Sequence, residues 1–328
     1  MRSLYADPKN DFVFKRLFGT ESNKDLLIAL LNDLLETTAK RAIINVEYLR
    51  EEQRPRIPEM KYSAVDVKCQ EKSGRVFVVE MQVLNVEGFE KRVVYNGSKA
   101  YVNQLDVGVE YGELNDVVAV SICDFVLWPA KKGKPEVPLL SRWRMKEVGG
   151  RDGLSQIQYV FVELPKLSKA SVPKTPVEQW VWLFRNAASL DRAPTTPLAT
   201  GPKKALIASQ TAAFTRADWE DYERAAFAQQ DAKNAFILAS KQGRAEGLAE
   251  GKAAGLAEGK AEGKAEGLAE GELRTLRRAL MLVLNRRFGA AEVRAVEECS
   301  ESATLETWLA RATTAKSLAA VFRPSRRD

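Results

Sequence analysis

Apolar residues recur along the chain at two spacings, and each change of spacing marks a new element. In 11–18, DFVFKRLF, the residues Phe14, Leu17 and Phe18 fall at helical intervals, and Gly19 ends the run. Residues 22–35 open with Ser22 and Asp25 at the spacing of a capping box. They then place Leu26, Leu27, Leu30, Leu31, Leu34 and Leu35 on one face, which predicts a second helix. From 42 the period shortens. AIINVEYL reads as a strand that leads through a loop at Arg54-Pro55 and Ile57-Pro58 into 65–82, VDVKCQEKSGRVFVVEMQ, which alternates about Lys72-Ser73-Gly74 as a β-hairpin does. The helical spacing returns in 89–105, where Phe89, Val93, Gly97, Tyr101 and Leu105 repeat every four residues, with a small residue where backbones can approach. DVVAVSIC (116–123), FVLWP (125–129) and QIQYVFVELP (156–165) read as further strands, the first apolar enough to be covered on both faces. Strands interleaved with helices in this order predict an α/β or α+β core.

Beyond 166 the pattern is less regular. PVEQWVWLFRNA (176–187) is the clearest helix, with Trp180 and Trp182 expected in the core, and APTTPLATGPKK (193–204) reads as a Pro/Thr-rich loop. Between 243 and 271 glycine recurs every four residues among Ala, Glu, Leu and Lys. Each interior glycine opposes a helix by about 1 kcal/mol, and like charges four apart (Glu246 and Glu250, Lys260 and Lys264) add to that cost, so an isolated helix there is marginal. A period of four overshoots the helical turn by about 40°, and only a right-handed supercoil would keep the glycine track on one neighbour. The segment is therefore either a frayed helical spacer or an element through which copies of the chain form a homo-oligomer. After it, Leu273, Leu276, Leu280 and Leu284, followed by LETWLARA (305–312), predict a small all-α module. Its first helix carries Arg274, Arg277, Arg278, Arg286 and Arg287 with no acid among them. The expected organisation is an α/β domain over 1–190, a loop and helical extension over 191–242, the repeat spacer over 243–271 and the helical module over 272–328.

A length of 328 residues accommodates this plan, and 50 Lys and Arg against 44 Asp and Glu tilt the chain towards an anionic partner, nucleic acid first. The three cysteines lie far apart and form no CxxC, which argues against a disulfide framework or a zinc site. No apolar run reaches the length of a membrane span, and the charged N-terminus does not resemble a signal peptide, so a cytoplasmic protein is expected. Histidine is absent from the whole chain. That removes every Ser-His-Asp, Cys-His and imidazole–metal arrangement, leaving carboxylates, amides, lysines, hydroxyls or a metal bound through oxygen.

This exclusion turns attention to the hairpin. Alternation places Val76, Val78, Glu80 and Gln82 on one face of its second strand, and Asp66 and Lys68 on one face of its first. Pairing about Ser73 sets Asp66 opposite Glu80, with Cβ atoms about 4.5–5.5 Å apart. Two buried carboxylates at that separation are costly unless neutralised, and a hard divalent cation, Mg²⁺ or Mn²⁺, is the simplest partner. The other reading open at this point puts both acids on an exposed edge, paired with Lys68, Lys72 or Arg92.

DPKNDFVFKRLFG (7–19), VDVKC…RVFVVEMQ, GFEKRVVYNGSKAYVNQL (88–105) and VVAVSIC (117–123), in this order, resemble the Rpn family of recombination-promoting nucleases. This is a transposase-related group of the PD-(D/E)XK superfamily. The resemblance spans about residues 5–190, and a Gly-Ala-Glu spacer with an RRFG-bearing C-terminal domain accompanies that family. It implies a restriction-endonuclease-like α/β fold, a mixed sheet flanked by helices, that cleaves DNA with Mg²⁺ or Mn²⁺. By position, Asp66 and Glu80 become metal ligands with the Met81 backbone carbonyl as a third, and Gln82 stands where the superfamily usually has a catalytic lysine. Glutamine can orient water but carries no charge and cannot act as a base. Val65 replaces the proline of the superfamily's name. Lys68, Lys15 and Gln104 are the further candidates for contacting DNA phosphates, with Asp11 beside Lys15. The expected function is a metal-dependent DNA endonuclease of low turnover whose strand breakage promotes recombination. The alternative is a catalytically inactive nuclease-fold protein that binds DNA or organises an assembly.

Overall fold

Asn10 opens α1 (Asp11–Phe18) by accepting hydrogen bonds from the Phe12 and Val13 amides, and Gly19 closes the helix. The computed structural model describes residues 3–53, 63–106, 108–151, 153–290 and 293–323; the loop expected at Arg54-Pro55 and Ile57-Pro58 lies outside them. Helix α2 (Lys24–Leu35) buries the expected leucine stripe, but Ser22 does not cap it. A 3-10 turn over Glu21–Asn23 precedes the helix and takes Ser22 inside itself, where the hydroxyl meets that of Thr20 at 3.2 Å. Asp25 pairs instead with Lys204 at 2.9 Å.

The strands are β1 (Val46–Tyr48), β2 (Glu52–Gln53), β3 (Ser63–Ala64), β4 (Val67–Glu71), β5 (Val76–Gln82), β6 (Val117–Cys123), β7 (Leu140–Trp143) and β8 (Ile157–Glu163). Six of them form a mixed sheet in the order β1-β4-β5-β6-β8-β7, while β2 and β3 pair separately. Strands β5, β6 and β8 are parallel, and β1, β4 and β7 run antiparallel to their neighbours. Parallel neighbours require a crossover, and α3 (Phe89–Val102) supplies it between β5 and β6.

Alternation along the strands divides the core. Val67, Cys69, Phe77, Val79, Val118 and Val120 face one layer, where α1, α2, α4 (Pro176–Asn186) and α5 (Thr200–Ala208) contribute Phe14, Phe18, Leu27, Leu30, Trp180, Phe184 and Leu206. Val76, Val78, Ala119, Cys123 and Phe161 face α3 and its Phe89, Val93 and Ala100. At Gly97 a Cβ would meet the Tyr159 ring at 3.2 Å, so glycine is what lets α3 lie this close to the sheet. This is the mixed sheet flanked by helices that the restriction-endonuclease-like reading called for.

Two local expectations fail. FVLWP is a bend after β6 rather than a strand, because the amides of Leu127 and Trp128 donate to Glu163 Oε2 at 2.7 and 3.1 Å. Glu163 is wholly buried and also pairs with Lys166 at 2.7 Å, and a buried carboxylate outcompetes a strand partner for those amides. APTTPLATGPKK is a loop only as far as Ala199, since α5 begins at Thr200 and carries Gly201 and Pro202 in its first turn. There the amide that proline lacks would have no partner in the helix. A Cβ on Gly201 would come within 2.9 Å of both Ala29 Cβ and Trp180 Cζ2.

The chain divides into two units, Met1–Ala235 and Phe236–Asp328. Helix α6 (Arg216–Phe288) starts in the first, where Asp218 pairs with Arg16 at 2.7 Å and the Tyr222 carbonyl accepts from Asn10. The glycine repeat 243–271 is helical throughout, and all its residues are exposed. In the second unit Leu280 and Leu284 pack with α7 (Arg294–Glu298), α8 (Ser302–Thr314) and α9 (Leu318–Val321) through Val296, Leu305, Ala312 and Val321. Arg277 donates to the Cys299 carbonyl at 2.7 Å and Arg287 to that of Ala312 at 2.6 Å, so two of the basic residues close this module. No helix among the described residues is long and apolar enough to cross a membrane.

Gly201→Ala sets two effects against each other. Alanine favours a helix by about 1 kcal/mol, whereas overpacking costs about 1–3 kcal/mol. Because the new methyl meets the Ala29 carbon and a rigid indole, overpacking wins and urea unfolding shows a net loss of about 1–2 kcal/mol.

Candidate active site

The site begins where β4 ends. Its ladder with β5 runs from Gln70↔Val76 to Val67↔Val79 and then stops. The register expected from the hairpin turn is the one formed, and continuing it would oppose Asp66 to Glu80, but the chain bends at Asp66. The Val65 amide turns to the Glu51 carbonyl at 3.2 Å. In this register Met81 would have bonded Val65, and its amide donates instead to Asp66 Oδ2 at 2.7 Å. A strand residue sends its N–H and C=O out on the same edge, so the Met81 carbonyl faces the same gap.

Glu80 is buried, 8% exposed, on the α3 face, and its Oε1 accepts from Asn96 Nδ2 at 2.6 Å. Gln82, two residues on, donates from Nε2 to the Leu84 carbonyl at 2.7 Å and accepts at Oε1 from the Arg92 guanidinium. The pairing follows from element geometry. Four helical residues rise about 6 Å and two strand residues about 6.7 Å, so Arg92 and Asn96 on α3 fall in step with Gln82 and Glu80 on β5.

The electrostatics are those of a site short of positive charge. Burial pushes the Asp66 carboxyl up to about 7; the Met81 N–H opposes the rise, Glu80 and Asp11 add to it, and Lys15 opposes it. Burial likewise raises Glu80, against the Asn96 hydrogen bond and the Arg92 charge. Glu51 is raised by burial, with Lys15 holding it down and Asp11 adding to the rise. Burial works against the Lys15 ammonium, but Asp11, Asp66 and Glu51 prevail and raise its pKa. Lys15 reaches Asp11 at 3.2 Å.

The remaining candidates fall elsewhere. Lys68, half-buried opposite Val78, lines a separate hollow of about 240 Å³ with Leu49, Gln70, Ala100, Asn103 and Gln104, and burial lowers its pKa. Gln104 spends its amide on the backbone of Asn115, donating and accepting at 3.0 Å. The alternative of exposed edge-strand ion pairs does not hold. β1 covers the edge of β4, Glu80 is buried, and among the described residues neither acid forms an ion pair with Lys68, Lys72 or Arg92. Asn96 and Glu51 had no mark in the sequence. Asn96 lies inside a helix whose stripe is read through its apolar residues, and Glu51 is one of two adjacent acids after a strand.

Each carboxylate spends one oxygen on a protein donor, and their other oxygens with the Met81 carbonyl make an all-oxygen donor set beside two ionisable groups that burial disfavours. This suits a hard divalent cation with water completing its shell. No group of three or more His, Cys, Asp or Glu able to hold a metal occurs among the described residues, so the carbonyl is needed. A hollow of about 710 Å³, lined by Ser63, Phe89, Lys91, Arg92, Tyr95 and Asn96 among others, adjoins these groups and opens on the α3 side.

The raised Asp66 pKa has a definite sign in stability. Between pH 4 and 7 the unfolded chain ionises this carboxyl while the folded one keeps its proton, so stability falls as pH rises and the full cost is present above 7. Asp66→Asn keeps an acceptor for the Met81 amide and removes the charge. Without divalent metal, its stability relative to wild type should grow from near zero at pH 4 to on the order of 2 kcal/mol at pH 8, after allowance for solvent screening. Urea titrations at the two pH values check this, and a difference independent of pH refutes the assignment.

A family model described as PD-(D/E)XK nuclease family transposase matches residues 8–239, a span that contains every residue of this site. No curated protein and no solved structure matches the chain.

Proposed function

The chain belongs to the PD-(D/E)XK nuclease family of transposases, and on that premise we propose that it is a divalent-metal-dependent DNA endonuclease. Nucleases of this superfamily generally use divalent metal ions. The observation that carries the reading is the desolvated pair Asp66 and Glu80 where β4 ends, each keeping an oxygen free of donors among the described residues, with the Met81 carbonyl on the same edge.

Asp66, Glu80 and the Met81 carbonyl would hold Mg²⁺ or Mn²⁺, which when bound makes water a stronger acid and offsets phosphate charge. The chain's own residues supply the rest. Gln82 is fixed at both ends by Leu84 and Arg92, so it orients without exchanging a proton. Lys15 brings a cation into the field of Asp66, where a DNA phosphate can meet it. In the reaction, water oxygen bonds to phosphorus as the P–O bond on the far side breaks. The attacking water loses one proton to solvent and the departing oxygen gains one, leaving a phosphomonoester and an alcohol. DNA held mainly through its phosphates gives little sequence preference and a steep salt dependence. Breakage of this kind is enough to promote recombination without strand transfer.

A second reading has its own observation, since Gln82 lacks the lysine charge: a nuclease fold that binds DNA without cutting it. Plasmid nicking with Mg²⁺ or Mn²⁺ separates the two. Wild type is expected to nick, and Asp66→Ala and Glu80→Ala should each lose at least 100-fold in rate, in keeping with the loss of a metal ligand. Pure wild type that cuts with neither metal leaves the binding protein.

A further inference from the structure

The structure assigns to Arg92 a role beyond the metal site: we propose that it is a DNA-phosphate-binding residue, supplying from α3 the positive charge that β5 lacks at Gln82. This rests on the nuclease reading and deepens it by naming the group that meets the substrate.

Three features of Arg92 converge. Its Nη2 donates to the neutral Gln82 side chain, and among the described residues it makes no ion pair, although its charge acts on Glu80 from a distance. Its guanidinium lies over the Phe89 ring at 5.5 Å, which holds a long side chain in one place. It is exposed and lines the 710 Å³ hollow together with Asn96, the partner of Glu80; among the described residues Lys91 adds a second cation there and Ser63, Tyr95 and Asn96 add polar groups, against one acid, Glu87. Arginine carries five donors in a planar fork, and with one spent on Gln82 the others remain for the paired oxygens of a phosphate. The first turn of α3, where Arg92 lies, also carries the positive end of the helix.

The contact explains why residue 82 is an amide. A lysine at 82 would bring an ammonium against the guanidinium that Gln82 now accepts from, so the charge can come from β5 or from α3 but not comfortably from both. Gln82 acts as the neutral arm that aims Arg92. The arrangement therefore predicts a reciprocal dependence between two positions ten residues apart.

The test measures affinity of the full chain for a short DNA duplex by fluorescence anisotropy, across a salt series with Ca²⁺, for wild type, Arg92→Gln, Arg92→Lys, Gln82→Lys and Gln82→Lys with Arg92→Gln. Arg92→Gln should weaken binding about tenfold and reduce the slope of log affinity against log salt by about one contact. Arg92→Lys should keep the slope, and Gln82→Lys alone should gain nothing. The double variant should recover to within about threefold of wild type, an outcome that a structural role for Arg92 would not produce. An unchanged slope in Arg92→Gln, a double variant no better than Arg92→Gln, or a wild type that does not bind the duplex overturns the proposal. Nicking assays keep the two readings apart. Arg92-dependent binding without cleavage refutes the nuclease reading alone, and cleavage indifferent to Arg92 refutes this one alone.

Discussion

One hydrogen bond, from the Met81 amide to the Asp66 carboxylate, stands where a rung of the β4–β5 ladder would have been. Because a side chain takes that rung, a carboxylate is drawn into the sheet at the point where the Met81 carbonyl faces out and Glu80 lies beside it. A hydrogen bond to a charged group contributes about 1.5–3 kcal/mol, whereas burying a charge costs several, so the bond does not restore what burial removes. The carboxyl rises to about 7 accordingly. A fold that only needed to close its sheet would have continued β4 back to Val65, the residue across from Met81 in this register. This one accepts a desolvated acid instead, a cost that a bound divalent cation would offset.

Helix α3 completes what the strands begin. As the crossover that parallel β5 and β6 require, it has to lie over the β5 face carrying Glu80 and Gln82, and Gly97 brings it close enough for side chains to meet across the gap. The near match between four helical residues and two strand residues then sets two pairs in register: Asn96 with Glu80, Arg92 with Gln82. The buried Asn96 Oδ1 has no hydrogen-bond partner among the described residues.

The elements legible from sequence were those written in a single period. The leucine stripe of α2, the alternation of β5 and the hairpin register all stand as read, although the ladder ends at Val67↔Val79, one pair short of Asp66 and Glu80. What escaped depended on a competitor for a backbone or side-chain group, in most cases one distant in sequence. Glu163 claims the amides of Leu127 and Trp128, so an apolar run that matches a strand is bent. The 3-10 turn encloses Ser22, so a correct capping spacing caps nothing. The halt of β4 at Val67 could not be read from residues 65–82, because it follows from the Val65 amide turning to Glu51. Gln82 was visible as a departure from a lysine pattern, but the cation that answers it lies on another element, where no spacing rule connects the two.

The sheet contains two kinds of buried acid, and comparing them separates structure from chemistry. Glu163, wholly buried at the end of β8, accepts from two backbone amides and pairs with Lys166, so its demand is met by the protein itself. Among the described residues Asp66 and Glu80 have one hydrogen-bond donor each, Glu80 adds to the rise of the Asp66 carboxyl, and the Arg92 guanidinium, though its charge opposes the rise of Glu80, donates to a neutral amide. The chain plainly contains the means to satisfy a carboxylate fully where stability alone is at stake. That it leaves this pair less satisfied, close to the hollow that Arg92 and Asn96 line, is the physical ground on which the proposed reaction is assigned to these two acids rather than to Glu163.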